Sequence, residues 1–143
     1  CSELKYVANL DKVQIIYSDA FSRCKKLRGF RKQNLLELTN IKAIYSSAFN
    51  DCIFLRGVKL GKNIKEIGKQ AFIGCKKLNK VYLDCKRPLS SIGSHAFLNT
   101  KSGIKFYVKN KRVAKSLKKN LKDSGVKNAK IYIGKTLVYS RIN

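Results

Sequence analysis

Five cysteines, one histidine and eight carboxylates are the residues of this 143-residue chain that could serve as nucleophile, metal ligand or acid–base pair. Their spacing argues against most of that chemistry. No C-x-x-C occurs, so the paired thiolates of a structural zinc site are missing, and His95 has no second imidazole to join it. The carboxylates Glu3, Asp11, Asp19, Glu37, Asp51, Glu66, Asp84 and Asp123 are scattered, and no two recur together as an acid and base would. A Ser-His-Asp arrangement is equally unsupported. The stretch "GVKLGKN" lacks the G-x-x-x-x-G-K-[ST] spacing that cradles phosphates. The expectation is a chain without catalytic residues, metal, cofactor or small-molecule substrate.

What the cysteines do share is a place in a repeat. Ala-Phe pairs stand at Ala20-Phe21, Ala48-Phe49, Ala71-Phe72 and Ala96-Phe97, at intervals of 28, 23 and 25 residues. Four residues before each Ala is an isoleucine (Ile16, Ile44, Ile67, Ile92), and seven before it another aliphatic (Val13, Ile41, Ile64, Leu89). Three residues after the Phe comes Cys24, Cys52, Cys75 or, in the last copy, Thr100. Cys1 fits the same frame, with Leu4 and Val7 behind it, so the chain begins inside a repeat.

Behind each Cys the pattern L-x-x-V-x-L follows, seen in Leu55, Val58, Leu60 and again in Leu78, Val81, Leu83. Its V-x-L end alternates in the way a strand with one buried face requires. A unit of this length cannot bury its apolar columns alone; stacking on the next unit does so, and that makes a solenoid. The combined pattern, nearly intact from Ile64 to Leu83, resembles the BspA-type leucine-rich repeat family over roughly residues 1–108. The resemblance implies a solenoid of short parallel strands and a secreted or surface-attached protein used in adhesion or protein interaction.

Two copies depart from the pattern. The second carries Phe30 and Lys32 in the Val and Leu positions and is lengthened through "RKQNLLELTN", which predicts a bulge or loop near residues 31–40. The last has Gly103 at the Leu position, which predicts a fading repeat there. Residues 109–143 read as a cap. Val113, Ala114, Leu117 and Leu121 have helical spacing, with Gly125 as a stop, and "AKIYIGKTLVYS" alternates around Gly134-Lys135 as a hairpin does.

In this frame the Cys column reads as four reduced, buried, small hydrophobes, since in-register side chains point the same way and Thr100 fills the slot without a thiol. Cys85, outside the column, reads as the reactive or exposed thiol. Cys1 has a second reading as the lipid-bearing first residue of a bacterial lipoprotein. His95 shares its column with Asp19, Ser47 and Gln70, a position that tolerates polarity.

The remaining signal is the surface. Lys and Arg number 32 against 8 Asp and Glu, a formal net charge of +24 that attracts polyanions. No apolar run is long enough to span a bilayer. A start at Cys with no Met anywhere implies an excised or processed piece.

On the strands, the residues flanking the inward Val face outward: Tyr6 and Ala8, Gly29 and Arg31, Gly57 and Lys59, Lys80 and Tyr82, Lys105 and Tyr107. Arg28 and Arg56 precede two of these strands. Tyr and Arg are enriched in protein-binding hot spots, so Tyr6, Arg28, Arg31, Arg56, Lys59, Lys80, Tyr82, Lys105 and Tyr107 are the candidate ligand-binding residues. A second basic concentration, Lys109, Lys111, Arg112, Lys115, Lys118, Lys119 and Lys122, falls on the wet face of the cap helix. Two functions follow: recognition of a protein or surface macromolecule through the sheet face, or binding of a polyanion such as a cell-wall polymer, sulfated glycan or nucleic acid. No helix-turn-helix, zinc-finger or RNP-type pattern accompanies the lysines.

Overall fold

The structure is a computed structural model and describes residues 1–29 and 34–143. Each of the four repeats with an Ala-Phe pair contributes a two-residue strand to one parallel sheet and a four-residue strand to another. The short strands are β1 (Ile15–Ile16), β3 (Ala43–Ile44), β5 (Glu66–Ile67) and β7 (Ser91–Ile92). The longer ones are β2 (Leu35–Leu38), β4 (Gly57–Leu60), β6 (Lys80–Leu83) and β8 (Lys105–Val108). Helix α1 (Lys111–Asn120), a 3-10 turn (Leu121–Asp123), and strands β9 (Ala129–Ile133) and β10 (Thr136–Ile142) complete the chain. The sheet orders are β1-β3-β5-β7 and β10-β9-β8-β6-β4-β2.

The isoleucine column sets the register of the first sheet, where Ile16, Ile44, Ile67 and Ile92 are successive partners. Between the sheets the Ala-Phe turns form a ladder of their own. Phe21 N–H donates to Ala48 O, Phe49 N–H to Ala71 O and Phe72 N–H to Ala96 O, each at 2.8 Å. The rings stack along the same line with centroids 5.3, 5.1 and 5.4 Å apart. Each such pair contributes about 0.5–1.5 kcal/mol beyond its area burial, and Phe49, Phe72 and Phe97 are fully buried. Phe106 from β8 meets Phe97 edge-on at 5.3 Å and joins the second sheet to this stack.

The polar column ahead of Ala-Phe has a backbone cause. Asp19, Ser47, Gln70 and His95 all have left-handed φ, near 60°, which costs a non-glycine residue about 1–2 kcal/mol. Their N–H groups offset that cost by donating across to the next repeat: Asp19 to Ser46 O, Ser47 to Lys69 O, Gln70 to Ser94 O and His95 to Asp123 O. His95 is thus a turn residue of the repeat.

Four expectations need correction. The second copy keeps its strand, but further on: Leu36 pairs with Val58 and Leu38 with Leu60, so these residues fill the columns, while Phe30 and Lys32 lie outside the described residues. Of the bulge or loop expected near residues 31–40, residues 31–33 lie outside the described residues and Leu35–Leu38 is strand. The last copy does not fade either, because Ile104, one residue beyond Gly103, is fully buried in the core position. In the cysteine column, Cys1 and Cys24 form a disulfide, with Cα atoms 4.9 Å apart. The column lies in the turns after Phe and not within a flat strand, so strand geometry does not govern where its thiols point. Cys52 and Cys75 do stay reduced, donating Sγ–H to Phe21 O and Phe49 O of the preceding repeat. Finally, Cys85 is buried at 2% exposure, not exposed.

The C-terminal segment has its expected elements and one that was not expected. Asn110 caps α1 by accepting from Val113 N–H at 2.9 Å. Val113, Ala114, Leu117 and Leu121 are buried as their spacing predicts. Strands β9 and β10 pair as an antiparallel hairpin, but β9 also lies parallel to β8 and extends the repeat sheet.

Gly125 has φ +85°, and a Cβ there would sit 2.7 Å from Leu98 Cα. Gly125→Ala is expected to lower stability by about 1–3 kcal/mol, and Phe72→Ala, which breaks the stack at its centre, by about 3–5 kcal/mol. Urea denaturation of the two variants checks both values, and an unchanged midpoint for Phe72→Ala would remove the stack from its structural role.

Candidate functional site

Alternation along the long strands turns one face of each inward. Leu36 and Leu38, Val58 and Leu60, Val81 and Leu83, and Phe106 and Val108 are buried. The residues between them form two rows on the outer face. Register places Leu35, Gly57, Lys80, Lys105 and Lys130 in one row and Glu37, Lys59, Tyr82, Tyr107 and Tyr132 in the other.

The second row ends in a tyrosine ladder. Tyr82 and Tyr107 stack at 4.7 Å with 14° between their planes, and Tyr107 and Tyr132 at 5.2 Å with 20°. Because the rings cover one another, the ladder offers hydroxyls and ring edges to a partner more than open aromatic faces. Tyr82 borders two hollows on this face. One, of about 270 Å3, is lined by Arg56, Gly57, Asn79 and Lys80; the other, of about 390 Å3, by Asp84, Tyr107, Lys109 and Gly134. Asp84 holds the ammonium groups of Lys59 (3.8 Å) and Lys109 (3.5 Å), partly neutralising that corner.

Of the predicted residues, Lys59, Lys80, Tyr82, Lys105 and Tyr107 lie together on β4, β6 and β8, with Arg56 just ahead of β4. Arg28 turns elsewhere: its guanidinium lies 5.1 Å from the ring centroid of Phe54, which also takes the Lys77 ammonium at 4.2 Å. Tyr6 belongs to an N-terminal stretch without a strand. Arg31 lies outside the described residues, and the outward positions of β2 belong to Leu35 and Glu37 instead of Gly29 and Arg31. Lys130 and Tyr132 were not among the predicted residues. The signal was nonetheless present, since Lys-Ile-Tyr in "AKIYI" repeats the Lys-Val-Tyr and Lys-Phe-Tyr of β6 and β8.

Burial, followed by the neighbouring phenols of Tyr82 and Tyr132, raises the pKa of Tyr107 above the ordinary phenol value. Burial pushes the Cys75 thiol well up, reinforced by its contact with Cys52, and burial also raises Cys85. These are poor nucleophiles, because the reactive species is the thiolate. Among the described residues no group of three or more His, Cys, Asp and Glu could hold a metal ion, and no helix is long and apolar enough to cross a membrane.

Two measurements check this chemistry. Reaction with a thiol reagent is expected to be slow in the native protein, to count three thiols after unfolding without reductant, and five with it. A thiol reacting at the rate of a free one in the folded state would contradict the burial of Cys85. In an absorbance titration, Tyr107 is expected to ionise above the usual phenol value, about 10, and Tyr107→Phe to abolish that late step. A phenol with a raised pKa stabilises the fold fully below its ordinary value, and this contribution is lost as pH rises through the raised one.

Comparison with curated proteins and with solved structures gives no match. A family model does match: the BspA type leucine rich repeat region, in six copies over residues 1–124. The match runs past residue 108, and the structure supplies a reason. Phe97 N–H donates to Ser124 O at 2.8 Å, so Ser124 takes the place that Ala48, Ala71 and Ala96 hold in earlier repeats. With its strands in register and its turns repeating from Cys1 to Ser124, the chain belongs to the BspA type leucine rich repeat family.

Proposed function

We propose that the chain is a non-catalytic recognition module of a secreted or cell-surface protein, a solenoid that binds another macromolecule in adhesion or protein interaction through the outer face of its six-stranded sheet. The observation that carries this reading is the tyrosine ladder of β6, β8 and β9, with Lys80, Lys105 and Lys130 in a parallel row beside it. Rigid tyrosines backed by a sheet lose little conformational freedom on binding, and cations at their side steer an acidic partner. Residues 109–143 serve as the cap of the solenoid, with Val113, Ala114 and Leu117 of α1 buried in the core. The Cys1–Cys24 disulfide agrees with an oxidising compartment outside the cytosol.

The test is adhesion of the whole chain to an immobilised extracellular-matrix preparation, at physiological salt and at about 1 M, where the Debye length shrinks to about 3 Å. Binding that survives high salt and falls at least ~10-fold in the double variant Tyr82→Ala/Tyr107→Ala supports the sheet face; truncated hot-spot residues cost this much or more. Binding that vanishes in salt and ignores both substitutions refutes it.

A further inference from the structure

The connections between the two sheets lengthen along the chain. From the last core leucine of a long strand to the next aliphatic core residue there are two residues after Leu38, three after Leu60 and five after Leu83. The five are Asp84, Cys85, Lys86, Arg87 and Pro88, and four of these line a cleft shared with the preceding connection. Its volume is about 580 Å3, larger than either hollow on the sheet face. Lys62 and Lys65 come from one connection, Lys86 and Arg87 from the next, Asn63 and Ser90 add neutral polar groups, and no carboxylate lines it.

Four cations around one cavity repel one another, and none of them is in an ion pair among the described residues. An anion in the cleft removes that cost. The walls are already fixed: Ile64 and Cys85 are buried, and the Lys86 carbonyl accepts from Asn110 Nδ2 at 3.0 Å, tying the long connection to the start of α1. The volume falls within the range of about 300–1,000 Å3 usual for small-molecule sites and exceeds what a single oxyanion needs. Among the described residues no aromatic side chain lines the cleft, so they give it no platform on which nucleic-acid bases stack.

We propose that this cleft binds a short, multiply sulfated saccharide, its sulfates meeting Lys62, Lys65, Lys86 and Arg87 and its hydroxyls meeting Asn63 and Ser90. The site is separate from the tyrosine ladder and does not rest on the reading of the sheet face.

Calorimetric titration of the full chain with a heparin-derived tetrasaccharide tests it. Lys86→Ala/Arg87→Ala is expected to weaken binding ~10-fold or more, through loss of two charge-assisted contacts, and to reduce the slope of log K against log salt by about 2. Both side chains are exposed, and the Asn110 bond uses only the backbone of Lys86, so folding is left intact. The control Lys118→Ala/Lys119→Ala removes the same charge from α1 and is expected to change affinity by no more than about twofold. Equal losses in both double variants would reduce the effect to bulk charge and overturn the site. So would equal binding of the desulfated tetrasaccharide, preference for an oligonucleotide of matching charge, or no binding by the unaltered chain.

Discussion

The four Ala-Phe turns are fastened to one another by N–H groups that cross to the neighbouring turn's carbonyls and by rings that stack from Phe21 to Phe97. This contact fixes the translation from repeat to repeat at about the spacing of hydrogen-bonded strands, near 4.8 Å. Once that spacing is set on one side of the core, the strands on the other side must fall into register. The left-handed residues before the Ala, the glycine at 125 and the carbonyl-bound thiols of Cys52 and Cys75 all serve this one fit.

The same constraint makes the surface periodic. A residue type recurring at one column becomes a row of like groups about 5 Å apart, so repeated tyrosines stack and repeated lysines crowd. Stacking suits the phenols, and burial of the central one, followed by its neighbouring phenols, raises its pKa, whereas crowding leaves the lysines with charge that favours an anionic partner. The chain thus carries two chemically distinct faces: a tyrosine and lysine strip on the six-stranded sheet, and a basic cleft where the inter-sheet connections grow longer.

The repeats tolerate irregularity wherever a backbone bond does not depend on it. The extra residues of the second repeat fall before β2 and leave its four residues paired with β4. The one-residue slip at Gly103 is absorbed by a φ of +78°, after which Ile104 fills the core. At the C-terminal end, Ser124 accepts the Phe97 bond without being an alanine, because the ladder needs a carbonyl and a small side chain at that point and nothing more specific.

The columns themselves were legible in the sequence. Ile16 to Ile92, Phe21 to Phe97 and the V-x-L pairs of β4 and β6 recur at spacings that only a stack of repeats satisfies, and alternation alone put Lys80, Tyr82, Lys105 and Tyr107 on the outer face. What alternation could not supply was position across gaps. The strand of the second repeat was decided by which residues met Val58 and Leu60, and the burial of Cys85 by how its connection packs. The joining of Cys1 to Cys24 depended on a turn geometry that strand spacing does not describe. Tyr132 entered the ladder because β9 lies parallel to β8, a direct pairing of two strands separated in the chain by α1. Local pattern is written in the order of residues, whereas pairing between distant segments is chosen by which apolar surfaces and backbone bonds can be satisfied together, and that choice belongs to the folded chain.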